Sequence, residues 1–105
     1  MKISLLVIRC ENIEISKEFY ERLGLTFKKE KHGNGPEHYS CESEETVFEL
    51  YPRANTDPQD NTRLGFKVLD INTLISDFKI ETTYDFNGKN IYVVKDPDGR
   101  KVEIS

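Results

Sequence analysis

The sequence contains one order of predicted elements twice, and this duplication constrains the fold more than any single motif. Each copy begins with an apolar strand, continues with an amphipathic helix and ends with three further strands. The copies begin and end with similar sequences: LLVIR at 5–9 and RLGFK at 63–67, FEL at 48–50 and VEI at 102–104. We therefore predict a single domain, residues 1–105, built from two βαβββ modules: module one at 1–54 and module two at 61–105.

In the first copy, a strand is predicted at 3–9 and a helix follows it. Asn12 is a typical N-cap residue, and Gly24 is a typical helix stop. Between them, apolar residues recur at helical spacing: Ile15, Phe19 and Leu23. Three strands complete this copy, at 25–31, 37–42 and 46–51.

The second copy begins after a segment rich in Pro, Asn and Asp, residues 52–61, which we interpret as a linker. A strand is predicted at 63–69, and Asp70 is the N-cap of a second helix. Its apolar residues follow the i, i+3, i+4, i+7 spacing: Ile71, Leu74, Ile75 and Phe78. The remaining strands are predicted at 81–86, 89–94 and 100–105. Asn87-Gly88 indicates a two-residue hairpin, and the DPDG sequence at 96–99 indicates a turn.

Alternation along the strands separates two faces of the sheets. One face is purely apolar and should pack against the helices: Leu6, Ile8, Cys10, Phe48, Leu50, Leu64, Phe66, Val68, Val102 and Ile104. The opposite face is mixed and carries most of the candidate functional residues: Leu5, Glu49, Tyr51, Arg63, Lys67 and Glu103. We therefore predict an α+β fold, with a curved mixed sheet, helices on the outer face and a pocket on the inner face.

Composition excludes several classes of partner. The 105 residues include 15 Lys and Arg against 19 Asp and Glu, a formal net charge of −4. Nucleic acids and anionic membranes are bound by concentrated positive charge, so neither is expected as a partner. No apolar run approaches the roughly 20 residues that span a bilayer, and the N-terminus does not resemble a signal peptide. Cys10 and Cys41 form no disulfide framework pattern, so we expect reduced thiols and a cytoplasmic location.

Three segments in the expected order resemble the vicinal oxygen chelate superfamily, which includes glyoxalase I, bleomycin-resistance proteins, fosfomycin-resistance enzymes and extradiol dioxygenases. They are NIEISKEFYERLGL at 12–25, VFELYP at 47–52 and DPDGRKVEI at 96–104. The resemblance covers essentially the whole chain. It implies the duplicated fold, but the reaction stays open because this scaffold carries many chemistries.

The resemblance also implies where a metal would be expected. Metal-dependent members place four ligands on the inner face, and the matching residues here are Leu5, Glu49, Arg63 and Glu103. Leucine has no donor atom, and the guanidinium of arginine is permanently protonated. The usual metal site is therefore expected to be missing. We predict instead that the Arg63 guanidinium is hydrogen-bonded to at least one of the two glutamates.

The sequence does not determine the face of the sheet on which His38 lies. It lies on the predicted strand at 37–42, and a slip of one residue in the hairpin register would move it to the other face. Beside Glu49 it would line the pocket, where a non-standard metal site becomes a further alternative. The spacing of His32 and His38 matches no common zinc pattern.

The leading hypothesis is a metal-free protein that binds a small molecule between its modules. Tyr51 would stack on the ligand, Arg63 and Lys67 would anchor its polar groups, and Glu49 and Glu103 would hold Arg63 or meet a cationic ligand. The alternative is a lyase, isomerase or dioxygenase that uses a divalent metal such as Zn, Ni, Mn or Fe. The metal would be held by Glu49, Glu103, His38 and water. A third possibility is a dimeric interaction module without a ligand, and a homodimer is expected in any case because short strands leave open sheet edges.

Overall fold

The computed structural model describes residues 1–105. The chain divides into two compact units, Met1–Pro58 and Gln59–Ser105, which contain the predicted modules one and two. The boundary between the units falls inside the predicted linker. Each module has the predicted βαβββ order, and each has its own four-stranded mixed sheet. None of the helices has the length and apolar character needed to cross a bilayer.

Module one contains four strands and one helix in the order β1, α1, β2, β3 and β4. Their bounds are β1 Leu5–Cys10, α1 Ile13–Glu21, β2 Lys28–Glu30, β3 His38–Ser43 and β4 Thr46–Pro52. The strand order in the sheet is β1-β4-β3-β2, with β1 and β4 parallel and the other neighbours antiparallel. Ser40 lies opposite Glu49, and Cys41 lies opposite Phe48. The sequence left open which face of the sheet carries His38, and this register places it on the same face as Glu49.

Helix α1 begins and packs as the sequence predicts. The side chain of Asn12 accepts hydrogen bonds from the backbone N–H groups of Glu14 and Ile15, which confirms the predicted N-cap. On the inward face of the helix, Tyr20 is fully buried. Its ring meets the ring of Phe48 edge to face, with 5.2 Å between the centroids. The apolar face of the sheet is therefore the face that the helix covers.

The predicted strand at 25–31 is too long, since β2 contains only three residues, Lys28–Glu30. The backbone N–H of Phe27 donates to the Glu21 carboxylate at 3.3 Å instead of to a neighbouring strand. Phe27 packs its ring 5.9 Å from that of Phe48. Its side chain therefore belongs to the core although its backbone lies outside the ladder.

Module two repeats the order with β5, α2, β6, β7 and β8. Their bounds are β5 Leu64–Phe66, α2 Ile71–Leu74, β6 Thr82–Phe86, β7 Lys89–Lys95 and β8 Lys101–Ile104. The strand order is β5-β8-β7-β6, with β5 and β8 parallel and Gly65 opposite Glu103. Asn87 and Gly88 connect β6 and β7 with φ values of 51° and 78°, which confirms the predicted hairpin turn.

The second predicted helix is shorter than its apolar spacing indicates. Helix α2 spans four residues and continues as a single 3-10 turn over Ile75–Asp77, and Phe78 already has an extended backbone. Asp70 caps it as predicted, by accepting from the N–H of Thr73. The segment consists largely of β-branched residues together with Asn, Ser and Asp, all of which are poor helix formers. The predicted strand at 63–69 is also too long, and Leu69 is fully exposed.

A buried ion cluster at the start of β8 was not predicted. The Arg100 side chain is only 1% exposed. Its Nε lies 2.9 Å from an oxygen of Asp60, and its Nη1 lies 3.1 Å from Asp96 and 3.6 Å from Asp98. Hydrogen bonds from Thr62, assisted by Arg100, lower the pKa of Asp60 to about 2. The cluster joins the predicted turn at 96–99 to the beginning of module two.

Candidate functional site

The helix-free face of module one carries an aromatic pair beside a carboxylate. The rings of His38 and Tyr51 are stacked, with 4.1 Å between centroids and 10° between planes. The guanidinium of Arg9 lies 4.9 Å from the centre of the Tyr51 ring, within the range of a cation–π contact. Glu49 lies on the same strand and the same face as Tyr51, and its side chain is 15% exposed. The structure thus brings three of the predicted site residues together: His38, Glu49 and Tyr51.

His38 is held in an orientation that leaves one nitrogen without a partner. The side chain is 1% exposed, and Nδ1 lies 3.2 Å from the carbonyl oxygen of Pro36. A carbonyl only accepts, so Nδ1 is the donor. Nε2 is buried and makes no hydrogen bond. It lies 3.5 Å from Oε1 of Glu30 and 3.7 Å from Oε2 of Glu49. A neutral imidazole would therefore direct its lone pair towards two carboxylates.

Two residues that the sequence did not single out as ligands belong to the same cluster. Glu30 lies opposite His38 in the β2–β3 pairing. Nε2 of His32 lies 3.9 Å from Oε1 of Glu30, and the His32 and His38 rings are 5.1 Å apart. The potential metal-binding atoms of Glu30, His32 and His38 all lie within 4.8 Å of one another. The spacing of the two histidines alone gave no signal, because Glu30 completes the group through the sheet.

The helix-free face of module two is organised around Glu103. Nε of Arg63 donates to Oε2 of Glu103 at 2.6 Å, and the Tyr84 hydroxyl donates to Oε1. The bond from Tyr84, together with Arg63, lowers the pKa of Glu103 below its usual range. The predicted hydrogen bond between Arg63 and a glutamate is therefore present. The Arg63 side chain is nevertheless 47% exposed, so this is a solvent-accessible pair.

The sequence did not predict the contact between Tyr84 and Glu103. Lys67 was predicted as a site residue, but the arginine that bonds to Glu103 is Arg63. Tyr84 lies on β6 and reaches Glu103 across β7, a relation that depends on two strand registers. Lys67 lies just after β5, on the same face of the strand as Arg63 and Gly65, and it is exposed. A cleft of about 380 Å³ lies beside Arg63. It is lined by Asn61, Arg63, Gly99, Arg100 and Lys101.

The residues at the four positions implied by the resemblance do not fit a divalent metal. Leu5 offers no lone pair, and the cationic Arg63 is bonded to Glu103. The Glu103 carboxylate is already occupied by two donors. A metal at these positions would meet a positive charge where it needs a ligand.

Solved structures of other proteins are similar to this chain over nearly its full length. The glyoxalase family protein from Enterococcus faecalis is 23% identical and has a TM-score of 0.70, over 98% of this chain and 95% of that one. Lactoylglutathione lyase from Agrobacterium tumefaciens is 16% identical with a TM-score of 0.72, over 98% of this chain and 91% of that one. TnmS3, an antibiotic binding protein from Streptomyces sp. CB03234, is 17% identical with a TM-score of 0.77, over 100% and 94%. At these identities the likeness concerns the fold alone.

The sequence itself assigns the family. No curated protein is a significant match to the chain. A family model matches residues 2–104, and its description is Glyoxalase/Bleomycin resistance protein/Dioxygenase superfamily. This match includes all three segments on which the resemblance rests and both repeats of the βαβββ order. The chain therefore belongs to the glyoxalase/bleomycin resistance protein/dioxygenase superfamily.

Proposed function

We propose that this chain is a small-molecule binding protein of the glyoxalase/bleomycin-resistance type, without the metal site at the positions used by metal-dependent members. The observation that carries the proposal is the 2.6 Å hydrogen bond between Arg63 and Glu103. It satisfies the carboxylate with a protein cation at a position where a metal would otherwise be needed. The antibiotic-binding relative TnmS3 has the same fold and supports a binding role.

The helix-free face of each module offers contacts to a small molecule: an aromatic ring in module one and cations in module two. The half-buried ring of Tyr51 is held in place by stacking on the buried His38, so little further side-chain entropy is lost when the ring contacts a ligand. Arg63 uses Nε for Glu103, so its Nη groups can donate to a ligand, and Lys67 adds a second cation. Glu103 orients Arg63, and Glu49 can receive a donor from a ligand on module one.

Binding of an anionic aromatic probe tests this function. We expect 8-anilinonaphthalene-1-sulfonate to bind saturably to the helix-free face of each module and to be displaced by members of a panel of aromatic carboxylates. Tyr51→Ala should weaken binding to module one about tenfold, and Arg63→Gln should weaken binding to module two about tenfold, since aromatic and charge-assisted contacts are each worth about 1–1.5 kcal/mol. Fluorescence titration measures both effects.

Lys79→Ala is the matched control, because Lys79 is an exposed cation that lies outside the strands. Its affinity for the probe should equal that of the wild type. Equal affinity in the Tyr51 and Arg63 variants, or an equal loss in the control, would contradict the proposed binding surface.

A divalent-metal-dependent lyase, isomerase or dioxygenase is the second candidate. The observation that favours it is the group of metal-binding atoms in Glu30, His32 and His38. Glu103 contributes less to this candidate than the sequence predicted, because Arg63 and Tyr84 already donate to it. Such an enzyme would use His38 and Glu49, whose atoms are 3.7 Å apart.

We infer that the protein forms a homodimer through its open sheet edges. Strand β1 is the outer strand of its sheet, and its Leu5 and Val7 side chains are exposed. A second copy of the chain would cover these groups in a symmetric contact. Sedimentation at micromolar concentration should give a dimer, and the interface should bury on the order of 1,200 Å² or more. A monomer under these conditions would contradict the inference.

We also infer a cytoplasmic location from the cysteines. Both Cys10 and Cys41 are buried, and no disulfide joins them. Burial raises the pKa of the Cys41 thiol, which keeps it in its unreactive protonated form. Buried reduced thiols are typical of a reducing compartment.

A further inference from the structure

We propose that module one contains a zinc site in which Glu30, His32 and His38 are ligands and Glu49 completes the coordination. The proposal depends on the geometry of module one alone. It holds whether or not the chain binds a small molecule, and it shares only Glu49 with the four positions that the family resemblance implies. Two imidazoles with carboxylates form a ligand set suited to Zn²⁺.

Three of the distances between the ligand atoms are close to those of a tetrahedral zinc site. With bonds of about 2.0–2.2 Å, tetrahedral ligands lie about 3.3–3.6 Å apart. Nε2 of His38 is 3.5 Å from Glu30 and 3.7 Å from Glu49, and Nε2 of His32 is 3.9 Å from Glu30. Shifts of a few tenths of an ångström would bring these pairs to coordination distance. Octahedral ligands at similar bond lengths lie only about 3 Å apart, so the observed spacing favours tetrahedral Zn²⁺ over Mg²⁺.

His38 is prepared for a metal by its other contacts. The hydrogen bond from Nδ1 to the Pro36 carbonyl fixes the tautomer that leaves the Nε2 lone pair available. Stacking on Tyr51 fixes the plane of the ring. Nε2 is then a buried acceptor without a donor, and it faces two carboxylates. A divalent cation removes this conflict, because it accepts the lone pair and compensates the charge of both glutamates.

The fold holds three of the four residues on strands and leaves one on a turn. Glu30 ends β2, His38 begins β3, and Glu49 lies on β4, so the hydrogen-bonded ladder fixes their spacing. His32 lies outside the strands, and its side chain is exposed. It can therefore close on a metal without disturbing the core. This division into a rigid set and one adaptable ligand allows a metal to enter from solvent.

Zinc titration of the full chain tests the site. Protein stripped of metal by a chelator is titrated with Zn²⁺ alone in an isothermal calorimeter. We expect one zinc ion per chain and a higher melting temperature with zinc present. His32→Ala should weaken binding by about 100-fold or more, because loss of even an outer partner of a zinc ligand costs about 10–100-fold. Co²⁺ should give the intense visible bands of a tetrahedral site.

The controls separate this site from other metal-binding groups and from the proposed function. Lys31→Ala changes the exposed neighbour of His32 and should bind zinc like the wild type. Arg63 lies in module two, so the Arg63→Gln variant should bind zinc like the wild type. The same variant should lose affinity for the aromatic probe. Glu49→Gln should weaken zinc binding about tenfold or more, which tests the fourth ligand.

Two results would overturn the proposal. One is the absence of saturable zinc binding. The other is zinc affinity that is unchanged in both His32→Ala and Glu30→Gln, which would place the metal elsewhere. His32 is exposed, so the His32 variant keeps the test valid even if substitution of the buried His38 prevents folding.

Discussion

Replacing Arg100 with methionine should lower the free energy of unfolding by about 3–5 kcal/mol, the cost of removing one partner of a buried ion pair. Arg100 is 1% exposed and is the cation for Asp60, Asp96 and Asp98. The Asp96 side chain is fully buried, so it cannot regain water without opening the turn. Methionine restores the volume of the arginine stem but leaves these carboxylates without a positive charge. Chemical denaturation measures the change.

Arg63→Met is the matched control, because it removes an arginine from a pair that solvent can reach. The Arg63 side chain is 47% exposed, so its bond to Glu103 should contribute less than about 1 kcal/mol. Comparable losses in the two variants would mean that burial does not set the cost of breaking these pairs. An unchanged unfolding midpoint in Arg100→Met would contradict the structural role of the cluster.

The architecture was predictable from the sequence because its signals are local and repeated. The βαβββ order appears twice, and each copy supports the interpretation of the other. Asn12 and Asp70 cap the two helices as predicted, and the turn at Asn87-Gly88 has the positive φ angles that its residues favour. Alternation along β4 correctly separates the buried Phe48 and Leu50 from Glu49 and Tyr51. Each of these relations involves neighbours in the sequence.

The site was less predictable because it depends on contacts between distant residues. The face of His38 followed from the β3–β4 register, which the sequence left open by one residue. Glu30 reaches His38 through a second register, and Tyr84 reaches Glu103 across an intervening strand. The extent of α2 was also misjudged, because apolar spacing does not reveal that β-branched residues weaken a short helix. The burial of Arg100 was missed because its partner Asp60 is 40 residues away, although its other partners Asp96 and Asp98 are close in the sequence.

Along strand β4, residues that stabilise the core alternate with residues of the candidate site. Substitutions at the neighbouring residues Phe48 and Glu49 test this separation. Phe48→Ala should lower the free energy of unfolding by about 3–5 kcal/mol, the usual cost of truncating a buried phenylalanine. Phe48 is 5% exposed and packs against Tyr20 and Phe27. Its removal would leave a cavity between the helix and the sheet. Glu49→Gln preserves the shape of the side chain on the opposite face and should cost less than about 1 kcal/mol.

Function should show the reverse order. Glu49→Gln should weaken zinc binding, whereas Phe48→Leu, which keeps most of the apolar volume, should leave it close to that of the wild type. Phe86→Ala controls for the loss of an aromatic ring, because Phe86 is 61% exposed and its removal should change stability by no more than about 0.5 kcal/mol. A large loss of stability in Glu49→Gln would show that the two faces are not independent. In that case the Glu49 carboxylate would contribute mainly to the stability of the sheet and not to ligand binding.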